Sequence, residues 1–244
     1  MHTFSESALT ALHLLTSLDA GFLAIVGRSL AVSACACLIA CSLGLALGAW
    51  LGVARFAGRG LVLTLLNTAL AVPSVVVGLV VYLLLSRSGP LGHLGWLFSF
   101  KAMVLAQAVL VLPVATALTR QVVQDAELSH GEQLQSLGAG RWMRSALLAW
   151  DERHALLVVL LAAFGRAISE VGAVMVVGGN IEGFTRVMTT AIALETSKGD
   201  LPLALALGFA LLVVVLLLNL LVALLQRWGQ GAGMRLATAG AVLL

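Results

Sequence analysis

The sequence predicts an all-α integral membrane protein with about five transmembrane helices, and three observations support this fold class. Of the 244 residues, 61% are hydrophobic and only 10% are charged, whereas water-soluble domains carry about 25% charged residues. The mean hydropathy is +1.07. Five apolar runs are long enough to cross a hydrocarbon core about 30 Å thick, which takes roughly 20 helical residues; they cover residues 22–54, 61–85, 103–123, 155–179 and 201–226.

Each apolar run is predicted to be a helix. In lipid, every backbone N–H and C=O group must find its partner inside the protein, and a helix satisfies them within one segment. The strands of a transmembrane β-barrel would alternate apolar and polar residues, and these runs do not alternate. The first run also holds all three cysteines, Cys35, Cys37 and Cys41, which we interpret as small packing residues because no His or carboxylate lies close to them in sequence.

The runs divide the chain into three parts. Residues 1–21 include four leucines between positions 12 and 18, which predicts a short amphipathic segment on the membrane surface. Residues 22–226 form the predicted transmembrane domain, with a polar loop at about 125–153. Residues 227–244 are predicted to be a tail, whose last residues, 232–244, form a loose end too short to cross a membrane.

The distribution of lysine and arginine predicts the orientation, because cytoplasmic loops of membrane proteins are enriched in these residues. If the polar loop is cytoplasmic, eight basic residues lie inside, namely Arg55, Arg59, Arg120, Arg141, Arg144, Arg153, Arg227 and Arg235. Four lie outside, namely Arg87, Lys101, Arg186 and Lys198. We therefore expect the N-terminus outside and the C-terminus in the cytoplasm. The net charge of +3 follows from this bias and does not point to nucleic acid.

The polar loop is the most unusual segment of the chain. Residues 120–153 hold nine of the 25 charged residues, and a Gly-Ala-Gly break, Gly138 to Gly140, interrupts them. The flanking stretches, residues 132–137 and 141–148, are predicted to be helical, with the glycines as a bend. Apolar residues, among them Leu134 and Trp142, alternate with charges there, a pattern typical of a helix that docks in a groove of another protein. A plain solvated connector is the alternative.

The segment Glu132 to Ala139 resembles the "EAA loop" of the permeases of bacterial ABC importers, which reads roughly E-A-A-x-x-L-G-A. Glu132, Leu137, Gly138 and Ala139 match the pattern, whereas Gln133 and Leu134 replace the two alanines and the closing Leu-Pro is absent. Pro73, Gly78, Pro113 and the sequence SGPLG at residues 88–92 resemble further blocks of the molybdate-type permeases. The sequences GRAISEVGAVMVVGGN at 165–180 and TRVMTTAIALETSKGD at 185–200 closely resemble the tungstate branch of this family, and the similarity covers about residues 12–225.

This resemblance implies a function, partners and a location. It implies the ABC importer permease fold of the molybdate and methionine type, in the bacterial inner membrane, with a cytoplasmic coupling helix. The coupling residues would be Glu132, Leu137, Gly138, Ala139 and Arg141. Two identical permeases would form a homodimer, bound to two ATPase subunits and to an external tungstate-binding protein. The chain has no G-x-x-x-x-G-K-[ST] loop, so we expect it to bind no cofactor itself and expect ATP and magnesium on the ATPase partner.

The fourth apolar run contains an ionisable pair, Arg166 and Glu170, four residues apart, so the two can form an ion pair on one helix face. Ionisable groups inside a membrane helix face protein or a water-filled cavity, so the pair is either a structural element or part of the transport pathway and its gate. Further donors that could contact a passing oxyanion are Ser169, Asn180, Thr185, Arg186, Thr189 and Thr190. No metal site and no catalytic site is predicted, because His93, His130 and His154 lack metal-ligand spacing and no nucleophile with its base can be assembled.

Other functions remain open from the sequence alone. Within the same class, the cargo could be molybdate or sulfate, because tetrahedral dianions of nearly equal shape are hard to separate. An intramembrane enzyme would act without an ATPase, and a passive channel or scaffold would work without nucleotide. Tungstate import is the hypothesis that the resemblance favours.

Overall fold

The computed structural model describes residues 20–241, and within that range the chain is built from α-helices with no β-strand. The amphipathic segment predicted at residues 1–21 therefore lies outside the described residues except for its last two. The nine α-helices of the described range are α1 (Ala20–Val53), α2 (Arg59–Ala71), α3 (Ser74–Leu85), α4 (Phe100–Ser136), α5 (Arg141–Asp151), α6 (Arg153–Ile168), α7 (Gly172–Gly178), α8 (Met188–Lys198) and α9 (Leu201–Ala241).

Three of these helices are long and apolar enough to cross a membrane: α1, α4 and the part of α9 at Leu201–Leu221. Two bent pairs, α2 with α3 and α6 with α7, pass the same test when each pair is taken together, which gives up to five spans in the described range. The all-α membrane fold is therefore confirmed, and the predicted number of five agrees with the upper count, in which each bent pair is one span. The expectation that each apolar run is one helix is wrong for the second and fourth runs.

The second run breaks at Val72 and Pro73, where α2 and α3 meet at 98°. Proline has no N–H to give to the preceding turn, and its ring forces the residue before it out of the helical region. Val72 is accordingly extended, with φ −64° and ψ 128°. This break was readable from the sequence, because Pro73 stands near the middle of the run.

The fourth run breaks at residues 169–171, and α6 and α7 are bent there by 57°. Glu170 lies inside the break, so the ion pair predicted within one helix instead spans the end of α6 and the linker. The carboxylate of Glu170 accepts the backbone N–H of Ala173 in the first turn of α7, at 3.2 Å. Because the Glu170 side chain replaces a backbone carbonyl as the acceptor for this N–H, it favours the end of α6 and the start of α7 at this point.

The core is a close pairing of α1 with α4 through small residues. Gly44, Gly48 and Gly52 recur every fourth residue and therefore lie on one face of α1. A Cβ atom at Gly48 would stand 2.6 Å from the backbone oxygen of Thr116, so the two helices approach closely only because no side chain is present. Small residues at every fourth position are a common way for membrane helices to pack.

Three further elements differ in extent from the prediction. The helix α4 does not end with the apolar run at residue 123 but continues through the polar segment to Ser136, giving 37 residues. The helix α8 fills part of the connection before the last span, where no helix was predicted. The tail predicted to be loose from residue 232 is helical to Ala241; the four prolines of the chain all lie before residue 203, so none interrupts it.

Candidate functional site

The bend between α4 and α5 has the hydrogen bonds of a Schellman motif. The N–H of Gly138 donates to the carbonyl of Gln135, and the N–H of Ala139 donates to the carbonyl of Leu134, both at 3.0 Å. Gly138 has a φ of +82°, in the left-handed region where glycine is the usual residue at a helix end. The sequence thus directs α4 to stop and turn at the glycine predicted to be the bend.

The helix α5 leaves this bend with two different faces. Leu148 packs in a small apolar cluster with Val53 and Val123, which fixes α5 against the ends of α1 and α4. The other face exposes Trp142 (74% exposed) and Trp150 (73%), although aromatic side chains of this size are mostly buried in folded proteins. An exposed aromatic face on a well-anchored helix is a surface available to a partner.

A buried ion pair joins α5 to α4. Arg144 contacts Glu127 at 3.1 Å between Nη2 and Oε1, and both side chains are largely buried. Gly131, one turn after Glu127, makes this possible, since a Cβ there would stand 2.7 Å from the carboxylate carbon. Burying a charged pair is tolerated when the partners lie together, and removing one partner leaves the other uncompensated. The pair therefore fixes the position of α5 relative to the last turns of α4.

Two of the five predicted coupling residues, Glu132 and Arg141, line one polar groove at this end of the molecule. A cavity of about 350 Å³ lies between the end of α4 and the start of α5, and its wall includes Glu132, Arg141 and Arg144 together with Arg55. Glu132 and Arg141 are exposed, as are Leu137 and Gly138 in the bend. Ala139 is the exception among the predicted residues, because it is buried as part of the turn.

The Arg166–Glu170 pair forms as predicted, but the two side chains sit in different surroundings. Arg166 Nη1 and Glu170 Oε2 are 2.8 Å apart; the Arg166 side chain is 44% exposed and that of Glu170 is 4% exposed. The Ser74 hydroxyl also interacts with the carboxylate, so Glu170 links the start of α3 to the break between α6 and α7. The Thr189 hydroxyl donates to the Glu170 carbonyl at 2.8 Å and joins α8 to the same break.

The other predicted donors hold the chain together locally. Thr185 donates to the carbonyl of Gly178, and Ser169 donates to the carbonyl of Arg166 at 3.1 Å. The side-chain N–H of Asn180 donates to the carbonyl of Thr190 at 3.2 Å. Asn180 itself has a φ of +49°, and its buried side-chain oxygen has no hydrogen-bond partner. In this structure most of these donors are therefore committed to backbone carbonyls.

Three glycines at the start of α7, at its end and just after it serve close contacts within the chain. A Cβ at Gly172 would stand 2.7 Å from Val75 in α3, and one at Gly178 would stand 2.8 Å from the sulfur of Met103 in α4. Gly179 faces the ring of Phe98, again at 2.8 Å from an added Cβ. The broken span α6–α7 is thus packed against α3 next to its break and against α4 at the end of α7.

Arg28, in the first apolar run, was missed by the sequence analysis. Its guanidinium donates to the carbonyl of Arg186 at 2.9 Å and to that of Gly183 at 2.8 Å, which links α1 to the loop after α7. Arg186 in turn lies 3.6 Å from Glu182 and 3.8 Å from the buried Glu195. The signal was available, because a charged residue inside an apolar run suggests a function by default.

The cysteines behave as packing residues. Cys37 and Cys41 share a helix face, their sulfur atoms are 3.5 Å apart, and both are buried in the main apolar core. Within the described part of the chain, no group of three or more His, Cys, Asp or Glu side chains is arranged to hold a metal ion.

Comparison with known proteins identifies the family. Residues 44–229 match the model of the binding-protein-dependent transport system inner membrane component. The tungstate uptake system permease protein TupB of Peptoclostridium acidaminophilum is 40% identical over 226 residues, 93% of this chain and 99% of the relative. A probable anion ABC transporter permease protein of Haloferax volcanii is 42% identical over 202 residues, covering 81% and 87% of the two chains.

A more distant relative is the molybdenum transport system permease protein ModB of Escherichia coli, which is 32% identical over 186 residues, or 70% of this chain and 80% of the relative. The match to the family model begins in the last third of α1 and extends over both broken spans, α4, the bend before α5 and the apolar part of α9. The chain therefore belongs to the family of inner membrane components of binding-protein-dependent transport systems and is a transport subunit rather than an enzyme.

Proposed function

We propose that this chain is the permease subunit of an ATP-driven ABC importer that carries a tetrahedral oxyanion, with tungstate as the cargo. The observation that carries the proposal is the 40% identity to a tungstate uptake permease along 99% of that relative's length. A second tungstate uptake permease, from Campylobacter jejuni, is 38% identical over 163 residues. Relatives named for molybdenum and sulfate transport are 32% and 31% identical over 186 residues, and the sulfate permease CysW of Escherichia coli is 39% identical over a shorter stretch of 148 residues.

Two copies of the chain would form a homodimer that binds two ATPase subunits in the cytoplasm and receives the anion from an external binding protein. ATP and magnesium would be bound by the ATPase. The exposed aromatic face of α5, anchored by the bend at Gly138 and the Glu127–Arg144 pair, supports a docking role for the segment. Its coupling contacts would come from Glu132, Leu137, Gly138, Ala139 and Arg141.

The broken span α6–α7 supports a role in the pathway or its gate. Interrupted membrane helices commonly surround the substrate site of transporters, and this break gathers Glu170, Arg166 and Thr189 from two parts of the chain. Glu170 would repel a dianion at close range, because like charges are costly in a site of low polarity. We therefore propose that the pair controls the shape of the pathway and does not bind the cargo. Ser169, Asn180, Thr185 and Arg186 complete the proposed region.

Reconstitution tests the cargo. The permease, its ATPase and the binding protein encoded beside them would be placed in liposomes, and uptake of tungstate, molybdate and sulfate would be measured with and without ATP. We expect ATP-dependent uptake of tungstate at the lowest half-saturating concentration. Uptake that prefers molybdate or sulfate would reject the cargo, and uptake that continues without ATP would reject the importer.

The proposed orientation places the N-terminus outside and the α4–α5 bend in the cytoplasm. It is tested by labelling single cysteines in intact cells after Cys35, Cys37 and Cys41 have been replaced. His93 and His130 are both exposed, so a failure to label cannot result from burial in the chain. We expect His93→Cys to react with an impermeant reagent and His130→Cys to react only after the membrane is opened. The reverse pattern would invert the topology.

A further inference from the structure

A cavity of about 320 Å³ lies where the first turns of α1 meet the loop after α7 and the start of α9. Its wall is mostly apolar and includes Ala24, Ile25 and Leu203, but two guanidinium groups, those of Arg28 and Arg186, also line it. The volume is several times that of a small tetrahedral oxyanion. In the proposed orientation, this end of the molecule faces the side from which the cargo arrives.

The charges around this cavity leave an excess of positive charge. Arg28 and Arg186 contribute two positive charges and Glu182 one negative charge, so the wall carries +2 − 1 = +1. Glu195, behind Arg186, is paired with Lys198 at 2.9 Å and adds nothing to this sum. Glu182 is also 84% exposed, so water screens its charge more than that of the partly buried Arg28.

Arg28 is the source of the excess. In the described part of the chain its guanidinium contacts two backbone carbonyls and no carboxylate, whereas Arg186 lies near two carboxylates. A guanidinium has five N–H donors, and the two carbonyls take up only two of them. Guanidinium groups are suited to oxyanions, because they are weakly hydrated and can offer two parallel donors to two oxygens.

We infer that this cavity is an entry subsite for the oxyanion, in which Arg28 supplies the positive charge and the free donors that meet a tetrahedral dianion on its way into the pathway. The inference rests on the proposed function for the identity of the ligand. A wall with one net positive charge would hold a dianion weakly, which suits a step from which the anion must leave again. The competing explanation is a purely structural one, in which Arg28 only fastens the loop through its two carbonyl contacts.

Local electrostatics can be measured without any transport. In a chain whose three native cysteines have been replaced, Ala24→Cys places a thiol in the wall of the cavity. Its rate of modification is compared between an anionic and a cationic methanethiosulfonate reagent of similar size. His93→Cys, exposed in another loop, is the matched control for intrinsic reagent differences. A nearby unit charge should favour the anionic reagent at position 24 by about threefold or more relative to position 93 at low salt.

Occupancy by the anion is tested in the same preparation by adding millimolar sodium tungstate, with sodium chloride at equal ionic strength as the control. We expect tungstate to slow the modification at position 24 and not at position 93. Arg28→Gln keeps N–H donors for the two carbonyls but removes the charge, so it should abolish both the preference and the protection. Arg28→Lys should retain both in part. Glu182→Gln, at an exposed position, should increase the preference.

The outcomes separate the inference from the proposed function. Equal reagent preference at positions 24 and 93, no protection by tungstate, or full retention of both in Arg28→Gln would overturn the entry subsite. If Arg28→Gln does not fold, the reagent preference and the protection by tungstate at position 24 of the parental chain decide the outcome. Charge preference and protection together with a failure of ATP-driven tungstate uptake in the reconstituted system would keep the subsite and reject the importer. In an active importer, Arg28→Gln should raise the half-saturating concentration several-fold more than Arg28→Lys does.

Discussion

Replacing Gly138 by valine should uncouple the α4–α5 segment from its partner while leaving the membrane helices intact. Gly138 has a φ of +82°, and an L-residue in the left-handed region costs about 1–2 kcal/mol. A Cβ atom at this position would meet no atom within 4 Å apart from its chain neighbours, so the cost of the Cβ comes from the local backbone conformation and not from contact with another part of the chain. Since about 1.4 kcal/mol corresponds to a factor of ten, the population of the native bend should fall about five- to thirtyfold relative to other turns.

Two control variants make the test specific to the backbone angle. Asparagine enters the left-handed region more readily than other non-glycine residues, so Gly138→Asn should stay close to the parent. Gly140 is two residues away and also open, but its φ is −69°, so Gly140→Ala should cost little. Glu132→Ala should weaken binding of the ATPase only mildly, because an exposed charge contact contributes under about 1 kcal/mol.

The assay is co-purification of the ATPase, ATP hydrolysis and anion uptake in one reconstituted preparation. Gly138→Val should insert and dimerise normally, but it should either lose the ATPase or hydrolyse ATP without uptake. Parental uptake by Gly138→Val with its ATPase bound would refute the docking argument. Equal loss in the asparagine and valine variants would show that the backbone angle is not the cause.

Three other predictions concern packing and the ion pairs. Arg166→Gln should reduce the yield of folded protein in fluorescence size-exclusion chromatography more than Glu170→Gln does, because it leaves a buried carboxylate without its ion pair, whereas water can reach the arginine. The double variant should give a higher yield than Arg166→Gln alone. Equal yields for the two single variants and the double variant would contradict this reasoning. Gly48→Ala should lose about 1–3 kcal/mol to overpacking and melt earlier in detergent, while Gly27→Ala, in open space on the same helix, should not. Gly131→Ala should displace the carboxylate of Glu127, which lies one turn earlier in α4, and should lower the amount of anion taken up per ATP hydrolysed. An unchanged ratio of uptake to hydrolysis would show that the buried Glu127–Arg144 pair has no coupling role.

Composition and apolar run length were sufficient to predict the class and number of the spans, because a bilayer requires about 20 apolar residues for each crossing. The break at Pro73 follows from the missing N–H and the ring of proline, which the length of an apolar run does not reveal. The break at residues 169–171 had no comparable signal, since Glu170 interacts there not only with the nearby N–H of Ala173 but also with Ser74, in a distant part of the chain. A contact between distant parts of the chain cannot be derived from spacing within one segment.

The candidate site was predictable to a similar degree. The bend at Gly138 followed from its position between two helical stretches, and the Arg166–Glu170 pair followed from its spacing. The partner of Glu127 could not be predicted, because Arg144 lies on the other side of the bend and comes close only once α5 has turned back. Arg28 was overlooked because one charge in a run of 33 residues barely changes its hydropathy.

The 37 residues of α4 form one rod about 55 Å long at 1.5 Å per residue, which exceeds the hydrocarbon core by about 25 Å. One part of the rod packs on α1 and its end carries the bend that we propose to dock on the ATPase, so both share one helical rotation. Each residue turns the helix by about 100°. The direction in which the bend presents α5 is therefore fixed by the number of residues between Thr116 and Leu134. One inserted residue would rotate α5 by about 100° and turn the proposed docking face, while the α1–α4 contacts before the insertion would stay unchanged.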